Sequence, residues 1–233
     1  DLSLDQFQGL NQAGDLGLAL ALDIQQQLRP DLRILLMSAT LDGDRLATQL
    51  DAPRLSSAGR GFPVDIQYFP ARKDEVLSSQ CRRAIEHALQ QHSGDILVFL
   101  PGRREIQSLQ KMLDPSPDSR LQILPLHGDL PIEQQSRALL PADPDVRRVV
   151  LASNVAESSV TLPGVQVVID SGLAREPRFD PNSGFSRLDT VSISQASADQ
   201  RAGRAGRTCA GWCYRLWPAS QRLEPMRRAE IQH

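Results

Sequence analysis

Ile96-Leu97-Val98-Phe99-Leu100 is an unbroken run of large apolar side chains. A strand with one face in water alternates polar and apolar residues, so this run predicts a strand buried on both faces. Further strands are predicted over 121–126, 146–152 and 165–169. Segments of helical spacing lie among them. Residues 75–92 place Leu77, Cys81, Ala84, Ile85 and Ala88 on one stripe, with Ser93-Gly94 as the stop. Residues 103–113 carry Ile106, Leu109 and Leu113 at the same period, and another helix is predicted at 131–139. Doubly buried strands joined by helices make a parallel sheet with helices on both faces, an α/β fold.

Before this block come a short strand at Leu2-Ser3-Leu4, a helix over 15–28 and a strand over 33–37. Three elements cannot form a sheet covered on both faces, so residues 1–60 read as the end of one α/β domain whose beginning lies upstream. Gly59-Arg60-Gly61-Phe62-Pro63 and Pro70-Ala71-Arg72-Lys73 mark residues 61–73 as a linker. A second α/β domain is expected over 74–218, with 219–233 opening a following region.

At 40% hydrophobic and 23% charged residues, the composition excludes a disordered chain. No apolar run approaches 18 residues and the first residues are no signal peptide, so a cytoplasmic chain without a membrane span is expected. Cys81, Cys209 and Cys213 lack zinc-site spacing and read as thiols in a reducing compartment. Net charge is −2, yet residues 171–233 hold ten arginines against six acids, while 1–59 hold four against eight. An anionic partner near the C-terminal third, or a solvated basic face, would produce that asymmetry.

In open parallel sheets ligands gather at the carboxyl ends of the strands. Small or polar residues follow every predicted strand: Asp5; Ser38-Ala39-Thr40; Pro101-Gly102-Arg103; His127-Gly128-Asp129; Ser153-Asn154, with Glu157 to Thr161 beyond; and Asp170-Ser171-Gly172. The sharpest pattern is Gln200-Arg201-Ala202-Gly203-Arg204-Ala205-Gly206-Arg207. Three guanidiniums spaced by three on a short helix would share nearly one face. Gly203 and Gly206 would admit another backbone or a polyphosphate, and arginine suits bidentate contact with phosphate oxygens.

These residues resemble motif VI of superfamily 2 helicases of the DEAH/RHA group. The other blocks follow in matching order: Ser38-Ala39-Thr40 as motif III, LVFLPGRREI (97–106) as motif IV, PLHGDL (125–130) as the next block, and SNVAESSVTLPGVQVVIDSG (153–172) as motif V. Residues 175–194 resemble the hairpin between motifs V and VI, and REPRFDPNSG is most like the bacterial HrpB-type helicases. The resemblance implies a P-loop NTPase helicase with RecA-like domains, the first truncated. It implies that Arg204 and Arg207 are arginine fingers for the γ-phosphate of ATP, and that Gln200 orients phosphate or attacking water. Ser38 and Thr40 would couple hydrolysis to domain movement. Gly102, Arg103, Ser153 and Asn154 would contact the nucleic-acid backbone. Ser159 and Thr161, with Glu157, would link that strand to the nucleotide. Pro163 replaces an acidic residue that lies near the ribose in many relatives.

Two departures bear on activity. The phosphate cradle G-x-x-x-x-G-K-[ST] is absent, since neither Lys73 nor Lys111 follows a glycine. Aligned on Asp15-Leu16, the DEAH positions are Asp5-Gln6-Phe7-Gln8. Asp5 keeps the carboxylate for Mg²⁺, but Gln6 replaces the glutamate that deprotonates water, and an amide cannot accept that proton. The expectation is a piece of an ATP-dependent helicase that moves on single-stranded nucleic acid, RNA rather than DNA, and does not hydrolyse ATP by itself. The alternative is a non-hydrolysing nucleic-acid-binding or regulatory remnant of such a helicase.

Overall fold

A computed structural model describes residues 2–4, 12–36, 48, 50–53, 61–113, 120–140, 143–158, 162–179 and 186–225. The chain divides into two compact units, one holding the described residues through Pro53 and the other those from Gly61 to Pro225. In the first unit, strands β1 (Leu2–Leu4) and β2 (Ile34–Leu36) pair in parallel, and helix α1 (Gln12–Gln27) connects them. Leu18 and Ala21 of α1 are buried, whereas Leu20, Ile24 and Leu28 are exposed.

The second unit contains strands β3 (Val64–Tyr68), β4 (Asp95–Phe99), β5 (Leu121–Leu126), β6 (Arg147–Ala152) and β7 (Val165–Asp170). An antiparallel hairpin of β8 (Leu173–Phe179) and β9 (Ser186–Ser192) follows, and β10 (Gly211–Arg215) comes last. The helices are α2 (Leu77–Gln91), α3 (Arg103–Met112), α4 (Ile132–Leu139), α5 (Val155–Ser158) and α6 (Gln195–Ala202). Six strands form one parallel sheet in the order β3-β10-β7-β4-β6-β5.

The apolar run that predicted this fold is the central strand β4, and all five of its residues are buried. Ile96 and Val98 face Cys81, Ala84, Ile85 and Ala88 of α2 and Ile106 and Leu109 of α3. Leu97 and Phe99 face the other layer, with Ala138 of α4, Ala156 of α5 and Ala202 of α6. Each such side chain contributes about 1.5–3 kcal/mol on burial, which is why the run tolerates no polar residue.

Two strands of the six-stranded sheet lie where periodicity predicted none. β3 falls inside the 61–73 segment read as linker, pairs in parallel with β10 and forms a sheet edge. Its alternation of Val64, Ile66 and Tyr68 was the available signal, but Pro63 and Pro70 masked it. Because an edge strand is half covered, Ile66 and Tyr68 stay exposed. β10 was hidden by the glycines around it, and Gly211 admits Ala205: a Cβ there would lie 2.4 Å from the Ala205 carbonyl oxygen.

Two neighbouring arginines of β6 anchor the surrounding backbone. The Arg148 guanidinium donates to Asp95 Oδ2 at 2.9 Å and to the carbonyls of Leu140, Pro163 and Ala138. Arg147 donates to the carbonyls of Gly94 (2.8 Å) and Leu89 (2.9 Å), supplying donors to the C-terminal end of α2.

His92 ends α2. Its ring stacks on Trp212 with 4.2 Å between centroids, and Nε2 lies 2.7 Å from Tyr214 Oη. Burial, with His87 and Arg147 nearby, holds its pKa below the ordinary imidazole value. The unfolded chain then binds more protons than the folded one below about pH 7, so stability falls with acidification. Calorimetry should show a lower Tm at pH 5.5 than at pH 7.5, with a smaller difference in His92→Gln. An unchanged Tm would refute this assignment.

Candidate functional site

Because the six strands run parallel, their carboxyl ends share one edge. Gly102 and Arg103 stand between β4 and α3, His127 follows β5, Ser153 and Asn154 join β6 to α5, and Ser171 and Gly172 follow β7. Topology therefore gathers the strand-end residues of the second unit. Arg103 and Asn154 are exposed, whereas Ser153 is buried and its amide donates to the Leu126 carbonyl. His127 is buried with Nδ1 lacking a partner, and burial lowers its pKa, assisted by Arg103 and opposed by Asp129.

Gly102 has a packing role the sequence reading did not anticipate. A Cβ there would lie 3.0 Å from Cδ of Arg175, which comes from the hairpin. Arg175 reaches past Gly102 to donate to Glu105 Oε1 at 2.9 Å, tying β8 to the first turn of α3.

The arginine repeat does not lie on one face. Helix α6 is capped by Ser194, whose hydroxyl accepts from Ser197 N, and it ends at Ala202. Residues 203–206 are turns, so the i, i+3 relation lapses after the first arginine. Arg201 is fully buried: Nε donates to Glu157 Oε2 at 3.0 Å, and Nη1 donates to Asp170 Oδ1 at 2.9 Å and to the Leu173 carbonyl. Its guanidinium lies over the Phe99 ring, 4.8 Å from the centroid. Arg204 is also largely buried, and its Nε and Nη2 both donate to the Glu157 carbonyl, the former at 2.8 Å. Burial, reinforced by Arg207, pulls its pKa down to about 10. Arg207 is exposed, and Gln200 is half-buried on α6.

Glu157 thus serves two arginines, one through its carboxylate and one through its carbonyl. Gly206 admits a backbone: a Cβ would fall 2.5 Å from the Phe62 carbonyl oxygen, and Phe62 N donates to the Gly206 carbonyl at 2.8 Å. The glycine that seemed open to backbone or polyphosphate is occupied by the segment leading into β3.

Asp5, Gln6, Ser38, Thr40, Ser159 and Thr161 lie outside the described residues. Asp170 and Arg201 are the members that sequence reasoning did not assign. Their available signal was a carboxylate closing the mostly apolar strand β7. Among the described residues, no group of three or more His, Cys, Asp or Glu could hold a metal ion, and no helix is long and apolar enough to cross a membrane. Cys81 and Cys213 are buried thiols, and burial pushes the former up to about 12.

The chain matches the helicase conserved C-terminal domain over residues 79–209. It is 47% identical over 205 residues to the ATP-dependent RNA helicase HrpB of Escherichia coli, covering 88% of this chain and 25% of that protein. It is 42% identical over 201 residues to the pre-mRNA-splicing factor ATP-dependent RNA helicase prp22 of Schizosaccharomyces pombe, covering 82% of this chain and 17% of that protein. A crystal structure of the Escherichia coli DEAH/RHA helicase HrpB superposes with a TM-score of 0.90 at 44% identity, over 98% of this chain and 30% of that one. The chain spans about a quarter of the length of the first of these relatives. With the six-stranded parallel sheet, the strand-end residues and the QRAGRAGR segment in place, the chain belongs to the DEAH/RHA helicases that carry the helicase conserved C-terminal domain.

Proposed function

We propose that this chain supplies the arginine-finger and strand-gripping part of an ATP-dependent helicase that moves along single-stranded RNA. The observation that carries the reading is Glu157. Three residues after Asn154, it holds Arg201 by its carboxylate and Arg204 by its carbonyl, so a backbone-gripping loop and the finger segment meet at one residue. RNA is preferred over DNA because both relatives named above are RNA helicases.

The end of α6 and the segment that follows it would supply half of a nucleotide site. Arg204, Arg207 and Gln200 would face the phosphates of ATP. Bound ATP supplies the phosphoanhydride whose hydrolysis powers movement. The chain's own groups bind and orient: two guanidiniums match the charge that develops on phosphate oxygens, and Gln200 directs a hydrogen bond there. The exposed Arg103 and Asn154, with Gly102 and Ser153 beside them, would meet sugar and phosphate, which places a strand without reading its sequence.

The 233-residue chain should bind a fluorescein-labelled oligouridylate with log affinity falling linearly against log salt. Arg103→Ala should weaken binding and reduce the slope by about one phosphate contact. Salt-independent binding, or none at low salt, would defeat the proposal. The chain alone should show no nucleic-acid-stimulated ATPase. In the full-length protein, Gln6→Glu should raise ATP turnover by restoring the proton acceptor. Equal turnover would show that Gln6 does not limit the reaction.

A further inference from the structure

We infer that Asp170 is a positioning residue: it holds Arg201, Arg201 holds the Glu157 carboxylate, and the Glu157 carbonyl in turn holds the guanidinium of Arg204. This rests on Arg204 being the group that reaches the phosphate, and it names what aims it.

The relay has a rigid end and a soft end. Asp170 closes β7, opposite Phe99 of β4 and Arg215 of β10, and is fully buried. Its Oδ1 accepts from Gly172 N at 2.8 Å as well as from Arg201 Nη1 at 2.9 Å. Gly172, at φ +72°, lies beneath Trp217, so the turn carrying the carboxylate has no latitude. Glu157 instead belongs to the four-residue helix α5, too short to hold its own geometry. Its place must come from its partners.

Arg201 is suited to transmit position. A planar fork that donates to carboxylates on two different elements, with the Phe99 ring under it, has one orientation. A lysine ammonium would bind either carboxylate without fixing a plane. A group needed only to fill this space would be apolar, because well-packed hydrophobic residues replace buried ion pairs without loss of stability in other proteins.

The test uses the 233-residue chain with ¹⁵N-labelled arginine and no nucleotide or nucleic acid. Failure here is therefore distinct from failure of the helicase reading. The Nε–H resonance of Arg204 is identified by its loss in Arg204→Lys. Asp170→Asn keeps an oxygen for Gly172 N but removes the charge. It should shift the Arg204 Nε–H resonance and speed its exchange with water by about tenfold or more, while backbone amides of Val98 and Val150 keep their protection. Glu157→Ala, which leaves the carbonyl in place, should do the same. Unchanged Arg204 exchange in either variant while it remains folded overturns the inference. Loss of fold in both variants also overturns it, since the cluster would then be structural alone.

Discussion

Arg207→Ala, made in the full-length protein carrying Gln6→Glu, should lower kcat of the nucleic-acid-stimulated ATPase by about 10³-fold or more. The size follows from where charge develops. A finger guanidinium donates more strongly to the transferring phosphoryl group in the transition state than in bound ATP, so kcat should fall far more than KM changes. Arg207 suits this test because it is exposed rather than part of the core. Arg204 is a poorer choice, since its buried guanidinium also donates to the Glu157 carbonyl and its loss would mix catalysis with packing. Arg207→Lys should recover only part of the rate, because a point charge cannot make the planar contact. A loss below tenfold for Arg207→Ala would remove it from the machinery.

The largest stability effect is expected at Arg148→Met. That side chain is 3% exposed and its partner Asp95 10%, and the substitution leaves the Asp95 carboxylate buried without its cation. Breaking one side of such a pair costs roughly 3–5 kcal/mol. Arg148 also donates to the carbonyls of Leu140, Ala138 and Pro163, so α4 and the turn before β7 lose their shared anchor. For a domain of this size the cost corresponds to a Tm drop of roughly 10 °C. The control is Arg82→Met. Arg82 pairs with Glu86 in the same i, i+4 sense as many surface pairs, both about half exposed, and its loss should cost about 0.5 kcal/mol or less. Equal Tm changes in the two variants would mean the buried pair adds nothing beyond a surface one.

Much of the second unit could be read directly from residue patterns. Strands β4 to β7 are rich in large apolar side chains, continuously so at Ile96–Phe99, and such strands suit the interior of a parallel sheet. Helix α2 follows from Cys81, Ala84, Ile85 and Ala88 falling on one stripe. β3 and β10 escaped because an edge strand and its neighbour carry mixed side chains, and their pairing joins residues far apart in sequence, Val64 to Gly211. Local periodicity holds no information about such a pairing.

The site divides the same way. Residue types and order along the chain singled out the arginine segment and the strand-end loops as candidates, because guanidiniums suit phosphate oxygens and ligands gather at strand ends. What each arginine does was settled by packing. Spacing treated Arg201, Arg204 and Arg207 as equivalent, whereas the fold buries the first against Asp170 and Glu157, turns the second onto a carbonyl and keeps the third exposed. Gly206 was legible as a position of close approach, whereas the packing role of Gly102 was not. That Arg175 passes Gly102 and Phe62 meets Gly206 depends on which distant segments the fold brings together. The chain alone therefore determined the fold class, the edge and the chemical types gathered there, since these follow from local periodicity and composition. Only the tertiary structure assigned each group its partner, because partnership depends on distances between residues that the sequence separates.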